Sequence, residues 1–359
     1  MGLDTGDTAF ILVATALVMI MTPGLAFFYG GLVSRKNVLT VMMQSYVSMG
    51  VTTILWVAVG YSLCFSGDIG GIIGNLDNAF LRGIVPTDLY GGADGTIPLL
   101  LFVVYQMMFA VITPALITGA FANRITFKAY LIFLVAWQLL VYFPFVHMIW
   151  GGGILADWGV LDFAGGIVVH ALAGMAALAS VLYVGKRNVQ DSGAHNVPFV
   201  ALGAALLWFG WFGFNGGSQY AVDEITALAL INTQIAAAFA AITWLVLAWH
   251  YDGKPSFVEL LIGMIAGLAT ITPAAGFVSP QSAMLIGVAA GVVCYFAVVL
   301  RKNLELDDAL DVWGVHGVGG ALGIILLGVL ASEKVNGQNG LYYGDSNFFL
   351  VQLAGLALA

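Results

Sequence analysis

The stretch LDFAGGIVVH, from Leu161 to His170, places a carboxylate, a pair of glycines and a histidine inside a long apolar tract. A shorter relative, LDVWGVH from Leu310 to His316, recurs inside a second apolar tract. Ionisable side chains at bilayer depth are costly and rarely face lipid, so in a membrane protein each stretch is a candidate functional site. Two related copies in one chain strengthen that hypothesis.

The composition is that of an integral membrane protein. Of 359 residues, 61% are hydrophobic and 8% are charged, whereas soluble domains carry about 25% charged residues. Asp4 and Asp7 stand where a cleavable signal peptide would be basic, so no signal peptide is predicted. Cys64 and Cys294 lie in separate apolar runs and form neither a disulfide pattern nor a metal pattern. We predict no metal, no cofactor and no nucleic-acid partner.

Apolar runs of spanning length divide the chain, at about 20 residues per crossing. They lie near residues 9–33, 38–65, 97–120, 128–149, 164–184, 198–214, 225–250, 257–275, 283–300 and 309–331. An eleventh run begins near Phe348 and is too short to cross before Ala359, so we expect this last helix to be truncated. The prediction is a single all-α membrane domain, residues 1–359, with eleven transmembrane helices.

The basic residues predict the orientation of these helices. Nine of the eleven Lys and Arg residues fall in alternate connections: Arg35, Lys36, Arg124, Lys128, Lys186, Arg187, Lys254, Arg301 and Lys302. Only Arg82 and Lys334 fall in the other connections. Because cytoplasmic loops are enriched in Lys and Arg, the first set is predicted to lie inside the cell. We therefore expect a multi-pass protein of the cell membrane with its N-terminus outside.

Similar segments recur in the two halves of the chain. AVITPA (110–115) in the third run resembles ATITPA (269–274) in the eighth, and FYGG (28–31) loosely resembles FNGG (214–217). The two Leu-Asp…His stretches open the fifth and tenth runs. A unit of five spans forces the second copy to run upside down. The pattern therefore predicts a five-plus-five inverted repeat, with units at about 9–184 and 198–331 and a binding site near the midplane between them.

The two histidines of these stretches are predicted to meet at mid-depth. His170 lies eight residues past Asp162, about 12 Å along a helix, and His316 lies about seven residues into the tenth span from the opposite face. In a core about 30 Å thick they approach one another from opposite sides. Neither reaches its own aspartate within one helix, which argues against an Asp–His catalytic dyad. The alternative is two buried histidines satisfied by backbone carbonyls.

Four motifs resemble the ammonium transporter (Amt/Mep/Rh) family, most closely its Amt branch. They are Asp162–His170, HMIWGGG (147–153), WFGFNGGS (211–218) and DDALDVWGVH (307–316), in the family's order along the chain. The resemblance implies a homotrimer with a pore through each subunit. It implies an outer ammonium site at Phe109, Trp150 and Ser218, a gate of Phe109 stacked on Phe214, and a pore lined by His170 and His316. It also places Asp162 near the outer site.

Each of these residues has an ordinary structural alternative. Phe109 and Phe214 are compatible with core packing, and Trp150 with the aromatic belt at a membrane interface. For Asp162 we favour a structural role, accepting hydrogen bonds from helix-start amides, over direct contact with a cation. Asp307, Asp308 and Asp311 precede the tenth run, where carboxylates suit a helix N-terminus.

The chemistry of these residue types suits selective passage of ammonium. An aromatic face attracts a cation by about 0.5–2 kcal/mol, whereas an apolar bore makes a bare cation unfavourable. Potassium has no proton to lose, so deprotonation before passage would discriminate against it. The sequence leaves open whether ammonia passes alone or together with a proton. Neutral imidazoles offer ammonia both a donor and an acceptor.

Two other classes of function compete with transport. An intramembrane metalloenzyme would need three clustered ligands and a general base; no HExxH motif is present, and an enzyme is not predicted. An ammonium receptor of the same fold remains an alternative, signalling through a cytoplasmic extension after Ala359. The same region would hold a tail that meets a PII-type regulator.

Overall fold

The computed structural model describes residues 2–187 and 193–359, and this part of the chain is built from helices without strands. The main helices are α1 (Thr5–Leu32), α2 (Arg35–Phe65), α3 (Leu99–Ile117), α4 (Phe127–Asp157), α5 (Gly166–Val184), α6 (Val197–Gln219), α7 (Glu224–Asp252), α8 (Phe257–Ile271), α9 (Pro280–Asn303), α10 (Trp313–Leu330) and α11 (Ser346–Leu358). Within the described residues, nine are long and apolar enough to cross a membrane, while α8 and α11 are shorter. Each predicted run coincides with one helix, with ends that differ by a few residues.

Polar side chains at the helix starts explain where the helices begin. The Asp4 carboxylate accepts from the backbone N–H groups of Gly6 and Asp7 at the start of α1. Asp223 and Thr226 form a reciprocal capping box at the start of α7. These side chains replace the intrahelical partners that the first N–H groups lack. The apolar sequence therefore breaks into helices at polar positions.

One set of connections gathers at one face of the bundle. The Arg187 guanidinium contacts the Asp307 carboxylate at 2.7 Å, and Arg124 approaches the same carboxylate at 3.7 Å. Burial raises the pKa of Asp307, but the hydrogen bonds and positive charge of Arg187 outweigh it and hold that pKa below its usual value. Lys186 also pairs with Glu305. The connections after α3, α5 and α9 therefore share one face, as the distribution of basic residues predicts.

The N-terminal segment and the connections after α2 and α4 meet at the opposite face. The Asp4 N–H donates to the Thr96 carbonyl, 2.8 Å away, and the Ile154 N–H donates to the Gly71 carbonyl at the same distance. The Gln352 side chain of α11 binds both backbone groups of Leu161, donating to its carbonyl at 2.7 Å and accepting from its N–H at 2.8 Å. This second face carries the loop between α4 and α5.

Helices α5 and α10 cross at the centre of the bundle through glycines. A Cβ on Gly174 would overlap the backbone of Gly317, and one on Gly320 would lie 2.6 Å from the Gly166 carbonyl oxygen. Small residues at such a crossing let two backbones approach closely inside a membrane. The two helices that carry the histidines are therefore held in direct contact.

The proline within α3 is compensated by its neighbours. Pro114 has no N–H, which frees the carbonyl of Ala110 four residues earlier. That carbonyl accepts from the Gln138 side chain of α4 at 2.8 Å, and the Thr113 hydroxyl bonds to the Phe109 carbonyl at 2.7 Å. The backbone carbonyls near Pro114 therefore keep hydrogen-bond partners, as expected of a proline in a transmembrane helix.

Candidate functional site

A cavity of about 310 Å³ opens at the face that carries the α4–α5 loop. Its wall includes Phe109, Trp150, Asp162 and Ser218. The Trp150 indole N–H donates to the backbone carbonyl of Asp162 at 2.9 Å, which fixes the ring, and Phe109 meets that ring edge-on with centroids 6.0 Å apart. The three residues of the predicted outer site therefore line one cavity.

The Ser218 hydroxyl is oriented by its own helix. It donates to the Phe214 carbonyl at 2.8 Å, so its lone pairs remain to accept a hydrogen bond from the cavity. The Tyr105 hydroxyl lies 3.4 Å away and bonds to the Gly213 carbonyl at 2.8 Å. A cation with N–H groups would find an acceptor here beside an aromatic wall.

Two stacked phenylalanines close the floor of this outer cavity. The rings of Phe109 and Phe214 lie with centroids 4.2 Å apart and planes inclined by 30°. Phe109 lines the outer cavity, whereas Phe214 lines a second cavity beneath it. The pair therefore separates the two cavities, at the position expected of a gate.

Both histidines lie in π-helical turns, at Gly166–Ala171 in α5 and Trp313–Gly317 in α10. A π turn inserts an extra residue and often occurs at a functional position. The Nδ1 atoms of His170 and His316 lie 3.2 Å apart, and the two rings are inclined by 20°. The predicted meeting of the two rings is confirmed.

The inner cavity around these rings is narrow and mostly apolar. Its free volume is about 10 Å³, room for about one molecule the size of water. The rings of Trp211 and Phe214 stack against His170 with centroids 5.4 and 6.0 Å away. Since Nδ1 of one histidine must donate to Nδ1 of the other, the Nε2 atoms remain for a third molecule. His170 Nε2 has no hydrogen-bond partner among the described protein groups.

Asp162 binds the start of α5 with both carboxylate oxygens. Oδ1 accepts from the N–H groups of Gly165 at 2.9 Å and Gly166 at 2.5 Å, and Oδ2 accepts from Ile167 at 2.8 Å and Val168 at 3.1 Å. Burial raises the pKa of this carboxyl, and the four amides oppose that shift. The expected contact with helix-start amides is confirmed.

Asp308 binds the start of α10 much as Asp162 binds the start of α5. Asp308 lies eight residues before His316, the same spacing as Asp162 to His170, and its Oδ2 accepts from the Trp313 N–H at 2.7 Å. The similarity of the two Leu-Asp…His stretches instead pairs Asp162 with Asp311, which forms an ion pair with Arg301 at 2.5 Å. Burial, aided by the charge of Asp311, raises the pKa of Asp308 to about 6. Counting back from each histidine would have found this equivalence.

Two further residues of the site escaped the sequence analysis. Tyr105 supports Ser218, and Gln352 holds the backbone of Leu161 next to Asp162. Gln352 is fully buried although it lies 191 residues from its partner. A buried amide in an apolar helix signals a polar partner, but nothing in the sequence identifies Leu161 as that partner.

Three comparisons relate this chain to known proteins. The model of the Ammonium Transporter Family matches residues 9–359. Ammonium transporter Amt1 of Archaeoglobus fulgidus is 45% identical over 358 residues, covering 99% of this chain and 88% of the relative. The crystal structure of Saccharomyces cerevisiae Mep2 superposes with a TM-score of 0.93 at 36% identity, covering 100% of this chain and 82% of that one. A structure named Sensor Amt Protein gives a TM-score of 0.88 at 28% identity, covering 98% and 89%.

Proposed function

The chain belongs to the ammonium transporter family, and from this membership we propose that it binds ammonium at the outer cavity and passes it as ammonia between His170 and His316. The observation that carries the proposal is the order of the groups. An aromatic and hydroxyl-lined cavity, a stacked phenylalanine pair and a narrow bore with two imidazoles follow one another.

Binding of the cation occurs at Trp150, Phe109 and Ser218. The indole face contributes about 0.5–2 kcal/mol of cation–π attraction, and the Ser218 oxygen accepts one N–H of ammonium. A hydrated alkali cation offers no directional N–H donor, so this site favours ammonium by its hydrogen bond. The Asp162 carboxylate adds a negative potential, although its oxygens face the α5 amides.

Passage begins with loss of a proton from the bound cation. The bore beyond Phe214 is apolar and holds about one small molecule, so an unhydrated cation is strongly disfavoured there. Ammonium releases its proton to water in the outer cavity or to the histidine pair, and neutral ammonia then contacts the free Nε2 atoms. Potassium cannot follow this route because it has no proton to release.

We propose that the fold is an eleven-helix bundle with a five-plus-five inverted repeat. Contact between α5 and α10 at Gly174 and Gly317 supports it, since a two-fold axis between the halves would bring these equivalent helices together. The N-terminus lies outside, because the Arg187 and Arg124 face is the more basic. Family resemblance adds a homotrimer and a PII-type regulator at the inner face.

A sensor is the second candidate function, and the Sensor Amt Protein neighbour favours it. A receptor of this fold would bind ammonium at the same outer cavity but would carry no flux. Its signal would leave through a segment beyond α11. Transport and sensing therefore differ in flux, not in the binding site.

The decisive experiment is an ammonium concentration jump on proteoliposomes adsorbed to a solid-supported membrane, with lumenal pH recorded by a trapped dye. Transport predicts an ammonium-dependent current, or a lumenal pH change faster than that of protein-free liposomes, and no response to an equal potassium jump. Passage with a proton gives a current, whereas passage of ammonia alone gives a pH change without a steady current. Binding of ammonium with neither signal would overturn transport and favour the sensor.

A further inference from the structure

His147 is a fully buried ionisable residue to which the proposed pathway assigns no task. It lies one helical turn before Trp150, in the segment of α4 from Phe143 to Trp150. Its ring points away from the bore, toward the connection that follows α2. A histidine in this position is costly unless both ring nitrogens find partners.

Both ring nitrogens of His147 face hydrogen-bond acceptors. Nδ1 lies 3.0 Å from the Cys64 backbone carbonyl, and Nε2 lies 2.9 Å from Oδ1 of Asp68. A carbonyl oxygen can only accept, and so can an ionised carboxylate. A neutral imidazole has a single N–H and satisfies only one of these two acceptors.

The Asp68 side chain has the properties of an ionised partner. It is 51% exposed at the outer face, and its Oδ1 also accepts from the Gly71 N–H at 2.9 Å. The hydrogen bond from His147 holds the pKa of the Asp68 carboxyl below its usual value. Oδ1 is thus an acceptor for two donors, which leaves the proton on the imidazole.

The same two residues hold the turn that carries Trp150. The His147 carbonyl accepts from the N–H groups of Gly151 and Gly153, each at 3.0 Å. Asp68 orders Gly71, whose carbonyl accepts from the Ile154 N–H. The turn that follows Trp150 is therefore tied to the 68–71 loop through both the backbone and the side chain of His147.

The charges of His147 and Asp68 also affect a cation that enters the outer cavity. An imidazolium beside a cation-binding cavity would repel the incoming cation if it stood alone. Asp68 neutralises it at hydrogen-bond distance, so the pair together carries no net charge. Removal of the carboxylate leaves a repelling cation or a neutral ring that has lost one contact.

We propose that His147 is held as an imidazolium paired with Asp68, and that this ion pair is a positioning element that fixes Trp150 at the outer ammonium site. The ion pair itself follows from the ring contacts alone. Its effect on ammonium affinity rests on the proposed function. The two parts are tested by separate measurements.

The charge state is tested by nitrogen NMR of the ¹⁵N-histidine-labelled protein in lipid nanodiscs at neutral pH. We expect both His147 nitrogens to carry hydrogen, with the resonances assigned by their loss in His147→Gln. Asp68→Asn should convert the ring to the neutral form. A neutral His147 in the unaltered protein would overturn the ion pair, whether or not the protein transports ammonium.

The positioning role is tested by the ammonium dependence of the proteoliposome response. Asp68→Asn should raise the half-saturating ammonium concentration about fivefold. The maximal response, normalised to the amount of folded protein, should be retained. The matched control is His195→Asn at the opposite face, where the Nδ1 atom of His195 lies 2.8 Å from the Val33 carbonyl oxygen, and it should leave half-saturation unchanged. An unchanged half-saturation in Asp68→Asn would overturn the positioning role. If the unaltered protein gives no response, the proposed function fails, and the NMR result still decides the ion pair.

Discussion

Replacement of Asp162 separates a structural carboxylate from one that serves the ion. In Asp162→Asn the side chain keeps its shape but exchanges one acceptor oxygen for an amide group that donates. Two of the four α5 amides keep an acceptor, while the other two meet a donor. Asp162→Ala leaves all four without a side-chain partner.

The expected losses follow from the number of hydrogen bonds removed. A buried hydrogen bond to a charged group contributes about 1.5–3 kcal/mol, and water entering from the outer cavity offsets part of its loss. We therefore expect Asp162→Asn to lower the free energy of unfolding by about 3 kcal/mol and Asp162→Ala by about 6 kcal/mol. Because whole domains are stable by only about 5–15 kcal/mol, the Ala variant should fold poorly.

The assay compares folded yield, thermal unfolding in detergent and ammonium response per folded protein. Asp345 provides a matched control, since its carboxylate caps α11 through a single N–H, that of Phe348 at 2.9 Å, and also accepts from the Gln338 side chain at 3.0 Å. Asp345→Ala should cost only about 1 kcal/mol. The order expected at position 162 is Asp, then Asn, then Ala, in both stability and response. If Asn and Ala fold like the unaltered protein and are equally inactive, the charge itself serves the ion and the structural account is refuted.

Three further predictions concern the outer site, the bore and the hydrogen bonds between Gln352 and Leu161. Trp150→Leu should raise half-saturating ammonium about two- to thirtyfold, from loss of cation–π attraction, and still exclude potassium; a potassium current would place Trp150 in the selectivity filter. His170→Asp combined with His316→Glu should admit potassium, because fixed carboxylates stabilise a bare cation; continued exclusion in the same current assay would place selectivity in the outer site. Gln352→Leu removes both hydrogen bonds to Leu161 and should lower the free energy of unfolding by about 2 kcal/mol in chemical or thermal unfolding; unchanged stability would show that water replaces the amide.

The sequence alone determined the membrane class and the approximate helices, and it predicted three residues, Phe109, Trp150 and Ser218, that line one cavity. A bilayer demands internally satisfied backbone, so an apolar run of spanning length has little choice but a helix. The face on which the basic connections lie and the depth of the two histidines were also predictable, because each depends only on position along a single helix. The depth argument also brought His170 and His316 together correctly.

Only the tertiary structure decided which polar groups meet across the bundle. His170 and His316 are 146 residues apart, and their π-helical turns set ring directions that a regular helical count does not give. For this reason the similarity of the two Leu-Asp…His stretches pointed to Asp311, whereas in the structure Asp308 is the aspartate that binds the start of α10. Gln352 likewise meets Leu161 because α11 packs against the loop between α4 and α5. Depth is fixed by local sequence in a bilayer, whereas the direction and partner of a side chain depend on how distant helices pack.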